Sequence, residues 1–404
     1  MEVKYPLILD GATGTQLQKR GFDSSISAED WVLQHPEAIA EIQNNYIAAG
    51  SRVVYAPTFE ANRIKLEHHG VFNRVEEYNE KLVGVSRSAV GERAFVAGDL
   101  SPVGTFLYPL GDTSFEELVE VYTEQVRGLE KAGVDLYVIE TMTTLPEARA
   151  ALLAVKSVSR KPVFVTFTCD EKGKTLTGTD VTAALVVMQG MGADAFGLNC
   201  STGPDKMVEQ LKRLKEFAAI PLIAKPNAGA PRMVDGKTVY DCSPEEFTAY
   251  VEEMAECGVC IFGGCCGTDV PHIEALAKST AGLTCAPVSP AHPDKLPCAT
   301  EKEVFLLDVE ATYGDVLPCD EELEDNLFDV DEDAEMIAIR IESEEELDNF
   351  SDCQGMIAKP LCILCEDAAL LEQALRRYQG RAVYEGGLSD EVLLPLVKKY
   401  GVII

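Results

Sequence analysis

The sequence predicts an α/β protein, a (β/α)8 TIM barrel followed by a small acidic α/β module at the C-terminus. Three observations carry this expectation. Eight short β-type runs recur between residues 7 and 263, segments with helical apolar spacing separate them, and several of those segments end in glycine before the next β run. Examples are AAG at 48–50, KAG at 131–133 and ECG at 256–258. Glycine at the end of a helix accepts the left-handed conformation that turns the chain into a strand. Buried β runs alternating with helices form a parallel sheet covered by helices, and eight such units in about 280 residues match a barrel. The competing reading is an open doubly wound sheet, against which stands the lack of a G-x-G-x-x-G after the first strand.

The expected barrel strands are LIL at 7–9, RVVYA at 52–56, AFVAG at 94–98, DLYVIE at 135–140, PVFVTFT at 162–168, AFGLN at 195–199, PLIAK at 221–225 and VCIFG at 259–263. Helical spacing is clear at 114–133 and 182–193. Past residue 284 the texture changes. The proline-rich CAPVSPAHPDKLPCATEKE reads as a linker, placed at 285–303. Residues 304–404 contain an acidic run, CDEELEDNLFDVDEDAE, and then a small βα pattern: strands EMIAIRI, KPLCIL and RAVYEG, helices SEEELDNFS, DAALLEQALRRY and SDEVLLPLVKKYG, and a terminal VII. The expected domains are therefore a barrel at 1–284, the linker, and a module at 304–404.

With 46% hydrophobic and 25% charged residues among 404, the chain has the profile of a globular protein that buries a full core. A net charge of −32 repels phosphate backbones and argues against nucleic acid as a ligand. No apolar stretch approaches the roughly 20 residues that span a bilayer, and MEVKYPLILDGATG has no secretory apolar core. The expectation is a cytoplasmic protein, off the membrane, whose thirteen cysteines are mostly reduced.

Barrel enzymes place their chemistry just after the strands. Those positions hold Asp10 and Gly11, Thr58 and Phe59, Asp99, Glu140 and Thr141, Asn199 to Ser201, Lys225 and Asn227, and Gly263 to Cys266. Cys200, Cys265 and Cys266 thus converge on one rim from strands two apart. Three thiolates at roughly 2.3 Å from one ion with a fourth position open describe a catalytic zinc site, and soft sulfur favours zinc over magnesium or calcium. The glycines beside Cys265 and Cys266 are expected to supply strained backbone angles that let adjacent residues bind one ion. A vicinal disulfide between Cys265 and Cys266 is the alternative. Cys169, Cys242, Cys257 and Cys260 read as small hydrophobes, Cys260 of CGVC falls inside a strand, and CILC at 362–365 invites the same caution. His68 and His69 read as solvated.

The stretches LILDGATGTQL, APTFEANRIKL, VIETMTTLPEARAA, TLTGTD, AFGLNCSTGP, KPNAGAP and IFGGCCGTDVPHIEAL together resemble the homocysteine S-methyltransferase family, over residues 1 to 284. The resemblance is nearest to the homocysteine-binding barrel of cobalamin-dependent methionine synthases. It implies that Cys200, Cys265 and Cys266 bind zinc and that Asp10 and Glu140 hold the amino-acid end of homocysteine, with Gly11, Thr58 and Asn199 as further substrate-site candidates. It also implies methyl transfer to the homocysteine thiol, giving methionine, from methylcobalamin, S-methylmethionine or betaine. The C-terminal segment resembles part of a pterin-binding barrel, which favours the corrinoid donor. It lacks that barrel's G-E-R-x-N-x-x-G opening, so folate binding is not expected. With no D-x-H-x-x-G cobalamin motif present, methylcobalamin is expected on a separate corrinoid protein, which the acidic stretch at 320–335 could face. The reading from another class is a non-catalytic zinc or thiol protein with a partner-docking C-terminal module.

Overall fold

The computed structural model describes residues 4–404 apart from Ser24, Phe72, Pro109, Asp235, Gly236 and Glu332. Eight parallel strands form one sheet: Leu7–Ile8, Val53–Tyr55, Phe95–Leu100, Leu136–Met142, Val163–Phe167, Ala195–Cys200, Leu222–Pro226 and Val259–Phe262. All eight fall on the expected runs. Each strand pairs with its neighbour in sequence from the second to the eighth, and the eighth pairs with the first. Between the first and second strands the ladder thins. The Arg52 N–H donates to the Ile8 carbonyl at 2.8 Å, the Ser51 hydroxyl to Leu9 O at 2.9 Å, and the Tyr55 N–H to Asp10 Oδ2 at 2.8 Å. A carboxylate thus stands in for a ladder carbonyl at the seam.

Outside the sheet run helices that include Pro36–Ala49, Val75–Val90, Phe115–Ala132, Leu145–Val158, Val181–Gly190, Pro204–Lys215 and Val270–Thr280. Ser114, Thr144 and Asp180 cap three of them by accepting backbone N–H groups, which satisfies donors that a helix leaves open at its start. Gly50 sits at φ +120°, and a Cβ there would lie 2.6 Å from Ala277 Cβ, so this glycine lets the last barrel helix close on the first. Alternation along the strands sorts the core. Leu9, Val53, Tyr55, Ala97, Val138, Phe164, Ala195 and Ile223 fill the barrel interior, while the other strand faces join the helices. Among the described residues no helix is long and apolar enough to cross a membrane.

The C-terminal module is a four-stranded parallel sheet, Tyr313–Pro318, Met336–Arg340, Leu361–Leu364 and Val383–Glu385, in that order. The last residues add a bridge between Val383 and Ile403. Its helices cover one face through Ile337, Ile339, Leu347, Phe350, Ile363 and Leu371. The opposite face is covered differently. An antiparallel hairpin, Leu296–Ala299 with Val304–Leu307, lays Leu296, Cys298 and Leu307 against Met336, Ala338 and Cys362. This hairpin begins inside the stretch expected as a linker, and the strand at Tyr313–Pro318 was not anticipated. Cys362 and Cys365 lie on opposite faces of the sheet, so CILC is not a redox pair.

The module is keyed to the barrel by Arg149, which is fully buried. Its guanidinium donates to Gln379 Oε1 at 2.7 Å, Leu375 O at 3.0 Å and Arg376 O at 3.4 Å. Burial lowers its pKa to about 10. The hairpin adds a second seam, where the Asp180 N–H donates to Lys302 O at 2.9 Å and Lys302 Nζ donates to Thr177 O at 2.9 Å. Arg149→Ala leaves the buried Gln379 Oε1 and Leu375 O unpaired at the seam and is expected to cost about 3 kcal/mol. Urea unfolding reads the loss, and limited proteolysis should release the C-terminal module earlier than in the wild type.

Candidate functional site

The strand ends gather the expected residues into one chamber. Inward-facing positions near the top of the barrel hold Tyr55, Asp99, Glu140, Thr166, Asn199 and Lys225, all less than a tenth exposed. Lys225 Nζ lies 3.4 Å from Asp10 Oδ1, 3.6 Å from Glu140 Oε2 and 3.6 Å above the Tyr55 ring. Burial opposes the lysine's charge, but Tyr55, Glu140 and Asp10 outweigh it and hold its pKa well above the usual value. Burial pushes Asp10 upward against the pull of Lys225, and it takes Glu140 up to about 7. The carboxylates outnumber the lysine in a dry enclosure, so the chamber is short of positive charge.

Above it lie the thiols. The sulfurs of Cys200, Cys265 and Cys266 are within 4.8 Å of one another, and no other such cluster of metal-ligand types occurs among the described residues. All three are free thiols, so Cys265 and Cys266 form no vicinal disulfide. Cys200 Sγ and Cys266 Sγ are 3.9 Å apart, close to the tetrahedron edge of about 3.8 Å that ~2.3 Å zinc–sulfur bonds give. The trio is electrostatically frustrated without a cation. Hydrogen bonding from Cys200 and then Cys265 holds Cys266 down to about 3. Cys200 is pushed far above the thiol range by Cys265 and Cys266. Cys265 is also raised, since the hydrogen bond with Cys200 is outweighed by Cys266 and burial. One negative charge is easily held there; three require a positive ion among them. The donor set therefore fits zinc.

The backbone that presents these thiols meets one expectation in part. Gly263 and Gly264 do not adopt left-handed angles. A Cβ on Gly263 would come within 2.9 Å of Leu9 Cβ and Lys225 Cγ, and one on Gly264 within 2.4 Å of Thr268 Oγ1. Gly263 is required because the eighth strand passes so close to its neighbours, and Gly264 because the loop folds back against its own Thr268. Gly267, directly after Cys266, is left-handed at φ +82°, as expected of a glycine flanking these thiols, and the left-handed non-glycine residues lie at the ends of other strands: Thr141 at φ 61°, Cys200 at 59° and Ser201 at 61°. Non-glycine residues in that region cost about 1–3 kcal/mol each and persist where the surroundings fix them. Here the Cys169 N–H donates to Ser201 Oγ at 2.9 Å, and the Thr141 N–H donates to Asn199 Oδ1 at 2.9 Å.

Asn199 Nδ2 donates to Thr141 Oγ1 at 2.7 Å and approaches Cys265 Sγ at 3.8 Å, so this residue ties the fourth strand to a thiol. Thr58 is committed to the backbone. Its hydroxyl donates to Asp99 O at 2.9 Å and accepts the Asp99 N–H at 3.1 Å. Gly11 makes room for Tyr46, whose ring a Cβ would meet at 2.8 Å. Residues of the chamber that drew no role from the sequence are Lys225, Asp99 and Asn227. Asn227 Oδ1 is buried without a hydrogen-bond partner, and its backbone N–H donates to Thr202 O on the Cys200 loop at 3.1 Å. Their position after strands was the available signal. Cys257 and Cys260 are core, and His68 and His69 are exposed, as expected.

A (β/α)8 barrel with a thiol trio over an acidic, lysine-centred chamber defines the class, and comparison with known proteins agrees with it. The family model described as homocysteine S-methyltransferase matches residues 7–280, so the chain belongs to the homocysteine S-methyltransferase family and is a methyltransferase. It is 31% identical over 299 residues to methionine synthase of Mycobacterium tuberculosis, covering 69% of this chain and 25% of that protein. The Mycobacterium leprae methionine synthase matches at 31% over 297 residues, 68% of this chain and 24% of that protein. The chain thus spans about a quarter of the length of these relatives. The metallated crystal structure of the Escherichia coli homocysteine methyltransferase MmuM shares the fold, with a TM-score of 0.58 and 24% identity over 67% of this chain and 95% of that one.

Proposed function

We propose that the barrel binds zinc through Cys200, Cys265 and Cys266 and methylates the thiol of homocysteine to give methionine, with methylcobalamin on a separate corrinoid protein as donor. The observation that carries this reading is the trio of free sulfurs within 4.8 Å, set over buried carboxylates in a barrel of this family. Zinc held there supplies a Lewis-acid position at which a substrate thiol loses its proton and becomes nucleophilic near neutral pH.

The chain's own residues do the rest. Asn199 steadies Cys265 from below, and the Ala228 N–H, donating to Cys266 O at 2.9 Å, fixes the loop that presents both thiols. Glu140 Oε2 makes no hydrogen bond beyond its 3.6 Å ion pair with Lys225 and can accept from an ammonium group, for which a charge-assisted bond is strong. Asp10, already holding Lys225 and the Tyr55 N–H, acts behind that lysine. The substrate's carbon chain then spans from chamber to thiols, with its sulfur uppermost and open to a donor arriving at the barrel mouth.

A donor screen tests the reading. Zinc-loaded protein with homocysteine should form methionine from a methylated corrinoid protein or free methylcobalamin, and not from S-methylmethionine or betaine. Turnover with either of the latter two alone would overturn the donor assignment; no turnover with any donor would overturn the methyl transfer to homocysteine.

A further inference from the structure

We infer that Asp99 is a second acceptor for the substrate ammonium, acting beside Glu140, and that it selects thiols carrying an amino group over thiols that lack one. The inference rests on the homocysteine reading above and adds a residue to it.

Asp99 lies two positions beyond Ala97 on the third strand. Ala97 belongs to the barrel interior, so alternation aims the Asp99 side chain into the same space. The residue is 4% exposed and its Oδ1 is buried with no hydrogen-bond partner. Such an atom costs free energy unless something pairs with it. Its backbone leaves it little freedom to turn away. The Asp99 N–H and carbonyl are both held by the Thr58 hydroxyl, and Gln125 Nε2 donates to the same carbonyl at 3.4 Å.

The charges around it point the same way. Lys225 pairs with Asp10 and Glu140, and among the described residues no ion pair reaches Asp99. Three ionised carboxylates in the chamber would exceed the one lysine by two charges; burial raises Asp10 and Glu140, and burial together with Glu140 holds Asp99 well above the usual carboxyl range, so a bound cation is what lets them ionise together. Asp99 Oδ1 stands open there, Glu140 Oε2 has only its 3.6 Å ion pair with Lys225, and on the strand beside that of Glu140 the buried Thr166 Oγ1 also lacks a hydrogen-bond partner. An α-ammonium group brings one positive charge and several N–H donors. A thiol acid without the amino group brings neither. Asp10 is the less suitable second acceptor, because Tyr55 N–H and Lys225 already engage its oxygens.

Calorimetric titration of the zinc-loaded full chain with L-homocysteine and with 4-sulfanylbutanoate, its counterpart without the amino group, tests this. In Asp99→Asn, homocysteine affinity should fall about 10- to 100-fold, while 4-sulfanylbutanoate binds as in the wild type and zinc content is unchanged. Equal weakening of both ligands, or no change for homocysteine, overturns the inference. Should Asp99→Asn not fold, Glu140→Gln serves: the preference for homocysteine must be reduced yet persist, and its complete disappearance overturns a role for Asp99. Failure of the wild type to bind homocysteine at all is a different result, which removes the functional reading itself.

Discussion

Cys266→Ala is expected to purify without stoichiometric zinc and to lose methionine formation by on the order of 10³-fold. Altering residues that merely support a metal ligand costs 10- to 100-fold in affinity or activity, and removing a ligand from a three-sulfur site takes more. Cys266 and Cys200 lie 3.9 Å apart, so the variant leaves two of the three thiols proposed to hold the ion. The fold should survive. The loop is fastened through backbone atoms, with Cys265 N–H donating to Pro226 O at 2.8 Å and Thr268 hydroxyl to Cys265 O at 2.7 Å. Metal analysis under reducing conditions and a thermal melt, compared with the wild type without added metal, separate loss of zinc from loss of structure.

Lys225→Met should be the most destabilising single change in the chamber, by about 3–5 kcal/mol, because it strips the cation from buried carboxylates. The deficit depends on pH with a definite sign. Glu140 has an ordinary value of 4.5 and is raised to about 7 by burial even with Lys225 opposing the rise. Asp10 is likewise raised by burial against Lys225. For such a group the stabilising contribution is present below the unfolded value and is lost as pH rises through the folded one. Without Lys225 both carboxyls rise further, so the variant's deficit should be small near pH 5 and large near pH 8. Urea denaturation at the two pH values measures it. A deficit equal at both would show that packing of the lysine stem, and not its charge, is what counts.

Much of this architecture is legible in the sequence because local signals agree with the global fold. Apolar β runs such as VVY and LIA sit between helices stopped by Gly50, Gly133 and Gly258, all of which take positive φ. The thiol trio is legible for a related reason: strand ends are predictable, and Cys200, Cys265 and Cys266 all follow them. What escaped is tertiary. Nothing local announces that Gly263 and Gly264 are needed for close approach, since their φ is not left-handed, or that the strain sits on Cys200 and Ser201. Lys225 is a single basic residue in a β run, and only the barrel brings Asp10, 215 positions away, against it. The hairpin at Leu296–Leu307 hid in a proline-rich stretch because its strands are stabilised by the sheet face they cover, not by their own propensity.

On the proposed reading, three protein sulfurs share one zinc and leave a place for a substrate sulfur. X-ray absorption at the zinc edge, on protein with and without homocysteine, tests it most directly. Three sulfur neighbours at roughly 2.3 Å and one lighter neighbour are expected without substrate, becoming four sulfurs when homocysteine binds. A first shell that homocysteine leaves unchanged, or one dominated by nitrogen and oxygen in both states, would contradict it.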